Sequence, residues 1–248
     1  MRFLLLFLLT QCCHSKPQDL SGYLLEFRRV TENPKYVDIP LQRNVDSATV
    51  CLRHFSDDII YDVTLFSMAT PALPEAMTLS RTANGDYAFY HNGSGIPVLF
   101  RNLPGKLSTP NSICVTWDSA NGLVQMWLNE GRSPVKRSRK GPGSLSGSHT
   151  RPPRVTLGKV RLDYDKDVFG IVGRLPGEIK DVHMWDYVLH ACEIKKYMAE
   201  KKAAEPFTPG NVINWKSMEY TASDNVLLLK DEYECPLQCS LVENGVSS

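Results

Sequence analysis

Three carboxylates stand at alternate positions in the stretch DYDKD, namely Asp163, Asp165 and Asp167. Calcium binds about six to eight oxygen atoms in proteins, and an acidic D-x-D-x-D run resembles the start of many calcium loops. The glycine and the distal glutamate that complete an EF-hand are missing here. The run therefore indicates either part of a calcium site or a solvated acidic loop.

A second group of residues raises the question of glycoside hydrolysis. Such enzymes need two carboxylates on one face of the protein, and the stretch GEIKDVH offers Glu178 and Asp181, with His183 close by. Residues three apart on a strand face opposite sides, which argues against this pair. No Ser-His-Asp arrangement, phosphate loop or dinucleotide fingerprint is present. We expect no enzymatic activity.

A basic run lies in the stretch 133–153, which is otherwise rich in Gly, Ser and Pro. Its positive charges come from four residues: Lys136, Arg137, Arg139 and Lys140. Such a run can bind a polyanion such as heparin, or can simply be a solvated loop at a strand end. The formal net charge is only +1, so a bulk attraction to nucleic acid or to membranes is not indicated.

The N-terminal segment and the cysteines together indicate an oxidising compartment. Residues 1–15, MRFLLLFLLTQCCHS, combine a short basic start with an apolar core, which predicts a secretory signal peptide and a secreted, extracellular protein without membrane insertion. Five of the seven cysteines follow this segment: Cys51, Cys114, Cys192, Cys235 and Cys239. Because five is odd, at least one thiol is free or pairs between chains. No CxxC or Cys/His cluster has zinc spacing.

The elements that must position these residues are mostly strands. Short segments rich in Val, Ile, Phe, Tyr and Trp alternate with turn residues, which predicts an antiparallel sandwich. The expected strands are 22–27, 48–55, 62–69, 86–91, 112–117, 123–128, 154–160 and 178–185. One amphipathic helix is expected at 191–204, with Ile194, Tyr197 and Met198 on its apolar side.

A motif in this framework is similar to the signature of the pentraxin family. Cys114, Thr116, Trp117 and Ser119 form C-x-T-W-x-S, with Ser112 at a position where the family carries histidine. The stretches TVCLRHF, DVHMWDYVL and FTPGNVINW also resemble pentraxin segments, in the family's order, so that the resemblance spans residues 23–229.

The resemblance implies a lectin-like, all-β jelly roll of two antiparallel sheets with one α-helix on a face. It also implies a disulfide between Cys51 and Cys114. We expect a pentraxin-like domain at 16–233, followed by a polar, cysteine-containing tail at 234–248.

Calcium is the cofactor that the resemblance implies, but most of the family's ligand positions are not matched. The positions fall on Pro74, Glu75, Val160, Arg161, Leu162 or Asp163, Gly170 and Gly173. Arg161 would repel the ion. A shifted, single-ion site remains open, built from Glu75, Asp163, Asp165 and Asp167.

The resemblance implies a pattern-recognition protein that binds phosphate- or carbohydrate-bearing surface ligands. It also implies a cyclic homo-oligomer, which in this family is a pentamer. The alternative is a calcium-independent pentraxin relative that binds a protein partner or a polyanion through the 136–140 run. Asn92 lies in an Asn-Gly-Ser sequon and is a candidate for glycosylation.

Overall fold

The computed structural model of the protein describes residues 16–28, 35–56, 60–129, 131–145, 151–170, 173–199 and 205–231. Within them the chain forms two antiparallel sheets and one α-helix. The all-β jelly-roll sandwich expected from the sequence is confirmed.

The first sheet contains nine of the described strands. They are β1 Tyr23–Phe27, β3 Ala48–Phe55, β8 Asn111–Asp118, β9 Leu123–Leu128, β10 Gly131–Arg132, β11 Lys136–Arg137, β13 Gly177–Trp185, β14 Ile213–Asn214 and β16 Val226–Lys230. The main order is β10-β9-β8-β3-β13-β1-β16, with β11 also paired to β9 and β14 to β13.

The second sheet contains seven described strands. They are β2 Val37–Pro40, β4 Val63–Ala69, β5 Met77–Arg81, β6 Tyr87–His91, β7 Val98–Phe100, β12 Arg154–Leu157 and β15 Thr221–Ala222. Their order is β15-β2-β12-β4-β5-β6-β7, so β12 lies between strands that are distant in sequence.

The core lies between the sheets and follows the two-residue period of the strands. Ile113, Val115 and Trp117 of β8 are fully buried in it, whereas Cys114 and Thr116 face away from it. Large apolar side chains from both sheets interdigitate there, as the alternation of apolar residues requires.

The helix α1, Ala191–Ala199, lies on the outer face of the first sheet. Ile194 and Tyr197 are buried and Met198 is partly buried against the same cluster. Glu193 in the first turn suits the positive end of the helix dipole. The expected apolar side is confirmed for these nine residues, while 200–204 lie outside the described residues.

All eight expected strands are present, but the sequence misplaced two stretches. Met77–Arg81, which is outside the expected strands, forms β5, because Met77 and Leu79 alternate with polar residues and face the core. Lys136–Arg137, also expected in a loop, forms β11 by pairing with Val124 and Leu123 of β9.

Candidate functional site

The cysteine pair on the first sheet is structural. Cys51 and Cys114 lie directly opposite each other on β3 and β8 and form a disulfide. Both are buried with Trp127 and Trp185 beneath α1. The expected pairing is confirmed, and the bridge has no exposed sulfur with which to react.

A buried polar cluster lies beside this disulfide and under the helix. Asp181 accepts a hydrogen bond from Arg53 Nε at 3.0 Å, and His183 Nε2 lies 3.3 Å from its other oxygen. His183 Nδ1 accepts from the Gly210 amide, so the ring proton is on Nε2 and donates to Asp181. Tyr197 of α1 donates its hydroxyl proton to the Asp181 carbonyl oxygen.

The cluster corrects one expectation about this strand. Asp181 was expected to face away from Glu178, but a bulge between Lys180 and His183 shifts the register, and Asp181 takes a φ of 56°. Its carboxylate therefore points to the outer face, where Arg53 and His183 hold it. Burial alone would raise the pKa of Asp181, but the bond from His183 and the charge of Arg53 hold that pKa below its usual value. These contacts join the helix to the sheet.

The opposite face of the sandwich, the outer face of the second sheet, carries the loop that contains most of the candidate metal ligands. We call residues 158–170 the covering loop. It folds back over β12 and β4, because the Ser67 hydroxyl donates to the Lys159 carbonyl at 2.8 Å. The turn into it requires glycine at position 158, where φ is +81° and a Cβ would lie 2.6 Å from the Phe27 ring.

The three aspartates of the covering loop are engaged within the protein. Asp163 Oδ1 accepts from the amides of Asp165 and Lys166 at 2.9 and 3.1 Å. Asp165 pairs with the exposed Arg151, whose hydrogen bond lowers the pKa of this carboxyl. Asp167 pairs with Arg161 at 3.1 Å. Each carboxylate thus has a protein partner at one oxygen or more.

Glu75 lies elsewhere on this side, in the turn between β4 and β5. The described part of the chain contains no group of three or more His, Cys, Asp or Glu side chains that could hold a metal ion. The structure therefore does not bring Glu75 together with the three aspartates as a metal centre. Arg161 beside Asp167 makes the arrangement a poor fit for calcium, since a guanidinium repels the ion.

The sequence did not predict the surroundings of Arg161. Its side chain is fully buried, and its Nη2 donates to Asp38 Oδ1 of β2 at 2.8 Å. Arg154 donates to the other oxygen of Asp38. The only sequence signal was an arginine at a family ligand position, and nothing local pointed to Asp38, 123 residues earlier.

The basic run lies at the edge of the first sheet and is fixed to it. Arg137 and Arg139 are exposed, and neither forms an ion pair with a described residue. Lys136 instead donates to the Leu99 carbonyl of β7, and Lys140 donates to the Asn92 carbonyl at 2.8 Å. Two of the four expected cations are therefore free to meet a ligand.

Ser138 anchors the run to the sandwich. Its amide donates to Gly122 at 3.0 Å, and its hydroxyl hydrogen-bonds His91 Nε2 on β6. His91 stacks on Trp117, with ring centroids 4.1 Å apart. Burial, with the charge of Lys140, lowers the pKa of His91 to about 4, so the ring is neutral at physiological pH.

Gly122 has to be glycine for the same packing. It takes a φ of +71°, and a Cβ there would lie 2.6 Å from the backbone of Gly141. The β8–β9 turn and the segment after the basic run therefore meet backbone to backbone.

The remaining candidates are placed as follows. Asn92 of the sequon lies in the partly exposed turn after β6. Cys192 is an exposed free thiol on α1, whereas Cys235, Cys239, the expected signal peptide at 1–15 and the expected tail at 234–248 lie outside the described residues. Among the helices that the structure describes, none has the length and apolarity needed to cross a bilayer.

Comparison with known proteins identifies the fold and the family. The model of the Pentaxin family matches residues 28–230. C-reactive protein of Danio rerio is 32% identical over 220 residues, which cover 86% of this chain and 91% of that protein. Serum amyloid P-component of Mus musculus is 28% identical over 211 residues, or 85% of this chain and 88% of the relative.

A solved structure agrees on the fold. The native heptameric SAP-like pentraxin from Limulus polyphemus superposes with a TM-score of 0.69 at 18% identity, covering 86% of this chain and 97% of that one. The family match and the sandwich extend over almost the same residues. This chain belongs to the pentraxin family.

Proposed function

We propose that this protein is a secreted recognition protein that captures phosphate- or carbohydrate-bearing groups on microbial or damaged-cell surfaces without transforming them. The observation that carries the proposal is the family match over residues 28–230, which includes the covering loop and every described strand except β1. Asp181, one of the two carboxylates considered for hydrolysis, lends it support, because Arg53 and His183 already engage its oxygens.

Capture by a ring of subunits suits such a role. The SAP-like pentraxin from Limulus polyphemus, which has the same fold, is a heptamer. We propose a cyclic homo-oligomer for this protein, with a pentamer as the expected ring. Closed rings present many copies of one weak site on one side, and linked sites raise avidity without new contacts.

The test is retention of the purified protein on matrices that carry phosphocholine or a carbohydrate, against the same matrix without ligand. We expect retention and elution by the soluble ligand. Passage through both ligand matrices with no delay, by protein shown to be folded, would overturn the proposal.

A second candidate is calcium-independent binding of a sulfated polyanion along the edge that carries the basic run. Arg132 and Arg137 pair with Trp127 and Leu123 of β9, so their side chains lie on the same face. Their partners are four positions apart along β9, or about 13 Å. These two exposed guanidiniums lie along one edge of β9, a shape that an extended anion can follow, and the exposed Arg139 comes two residues after Arg137.

The variant Arg137→Glu/Arg139→Glu tests this candidate by heparin affinity over a range of salt concentrations. We expect weaker binding, and a slope of log affinity against log salt that is smaller by about 2, because two fewer counterions are released. The matched control, Arg28→Glu/Lys230→Glu, makes the same charge change beside β1 and β16 at the far edge of the sheet. Equal loss in both variants would reduce the effect to net charge and contradict a specific site.

A further inference from the structure

We infer that the covering loop is held over the second sheet by two buried cations of its own, Lys159 and Arg161, and so keeps its shape without a divalent metal ion. Calcium is what family resemblance implies at this loop, and the residues present do not fit it. The inference concerns the loop itself and can be tested without the ligand proposed above.

Arg161 fastens the middle of the loop. Its side chain has no exposed surface, and its guanidinium donates to Asp38 at 2.8 Å, to Asp167 at 3.1 Å and to the Lys166 carbonyl at 3.0 Å. The guanidinium also lies 4.9 Å from the centre of the Phe169 ring. The arginine therefore joins the loop's return segment to β2 of the sheet.

Asp38 is the anchor on the sheet side. Its neighbours Val37 and Ile39 face the core, so Asp38 points to the outer face, where its side chain is 4% exposed. It accepts from Arg161 at one oxygen and from Arg154 at the other. A buried carboxylate is stable only when it is paired, and here two guanidiniums pair it.

Lys159 closes the two ends of the loop. It is 3% exposed, and its ammonium donates to the Gly170 carbonyl at 2.9 Å. Burial, and then the charge of Arg174, lower the pKa of this ammonium. The hydrogen bond runs across the loop, from its second residue to its last.

Two partly buried aromatic residues lie beside the network. Tyr36 and Phe169 contact each other with ring centroids 4.1 Å apart, one from the position just before β2 and one from the return of the loop. A divalent cation placed here would meet the guanidiniums of Arg161 and Arg154 rather than free carboxylates. Positive charge is already supplied where a bound ion would supply it.

Hydrogen exchange of the 158–170 amides, measured by mass spectrometry on the full-length protein, tests the inference. For the native protein we expect the same exchange in millimolar calcium chloride and in chelator. In Arg161→Gln we expect protection in this loop to fall by at least about 100-fold, since removal of one partner leaves Asp38 imperfectly paired.

The control variant is Arg151→Gln, which removes an exposed ion pair of the same loop. It should change protection by about 3-fold or less, because surface pairs contribute little. Slower exchange of the native loop in calcium than in chelator would overturn the inference, as would native-like protection in Arg161→Gln. If that variant does not fold, the comparison of the native protein in calcium and in chelator decides alone. No surface ligand is used, so the outcome is separate from that of the capture experiment.

Discussion

At the scale of the residue, ion pairs between distant parts of the chain hold the covering elements to the two sheets. Arg53, Asp181 and His183 hold the helix to the first sheet, and Arg161 and Asp38 hold the covering loop to the second. The sequence shows each of these residues, but it does not show which residue pairs with which. Charged partners that come from distant strands leave no periodic signal, so the sequence could name Arg161 as unusual and could not name its use.

Two buried histidines predict acid sensitivity. Burial lowers the pKa of His91 to about 4 and that of His54 to about 3, against 6.5 in the unfolded chain. At a pH between the native and the unfolded pKa of each histidine, the unfolded chain binds more protons than the native one. The free energy of unfolding therefore falls as the pH is lowered through this range. Each histidine should remove about 2 kcal/mol between neutral pH and pH of about 5.

The variant His91→Gln should lose its share of this dependence, and urea titrations at several pH values measure it. His190→Gln is the matched control, since it makes the same substitution at an exposed histidine. An unchanged slope in His91→Gln would show that His91 is not a buried neutral base.

At the scale of the element, the sequence was informative where the two-residue period is clear and uninformative where strands are short. Eight strands and the helix follow from apolar alternation and 3.6-residue spacing, although β5 and β16, of five residues each, were not among the expected strands. Strands such as β10, β11 and β15 have two residues each and are defined only by their neighbours. The path of the covering loop likewise cannot be read from its own residues, because it depends on Asp38 and Ser67 of other strands.

The disulfide between β3 and β8 should contribute substantially to stability. The two cysteines are separated by 63 positions, and closing a loop of that length is worth about 4 kcal/mol in the chain-entropy view. The variant Cys51→Ala/Cys114→Ala should lower the free energy of unfolding by about that amount, as measured by urea titration. Cys192→Ser should leave it unchanged, because this thiol is exposed and unbridged among the described residues. Equal stability of the double variant and the native protein would contradict a structural role for the bridge.

At the scale of the whole molecule, the two outer faces of the sandwich are covered by different elements. The helix and a polar cluster cover the first sheet, and the covering loop lies on the second, with the basic run at the edge between them. One face of the sandwich is therefore closed by a helix and the other by a loop.

Ring assembly can be tested by native mass spectrometry of protein collected from the extracellular medium. We expect one closed oligomer, and non-reducing gels will show whether Cys192, Cys235 or Cys239 adds covalent links between subunits. A protein that is monomeric at all concentrations tested would contradict assembly and, with it, the avidity on which capture depends.

The most direct test of the account is retention of the intact protein on a phosphocholine or carbohydrate matrix while calcium is titrated in and then chelated. Internal cations at the covering loop predict equal retention in both conditions. Retention that disappears with the chelator and returns with calcium would contradict the account.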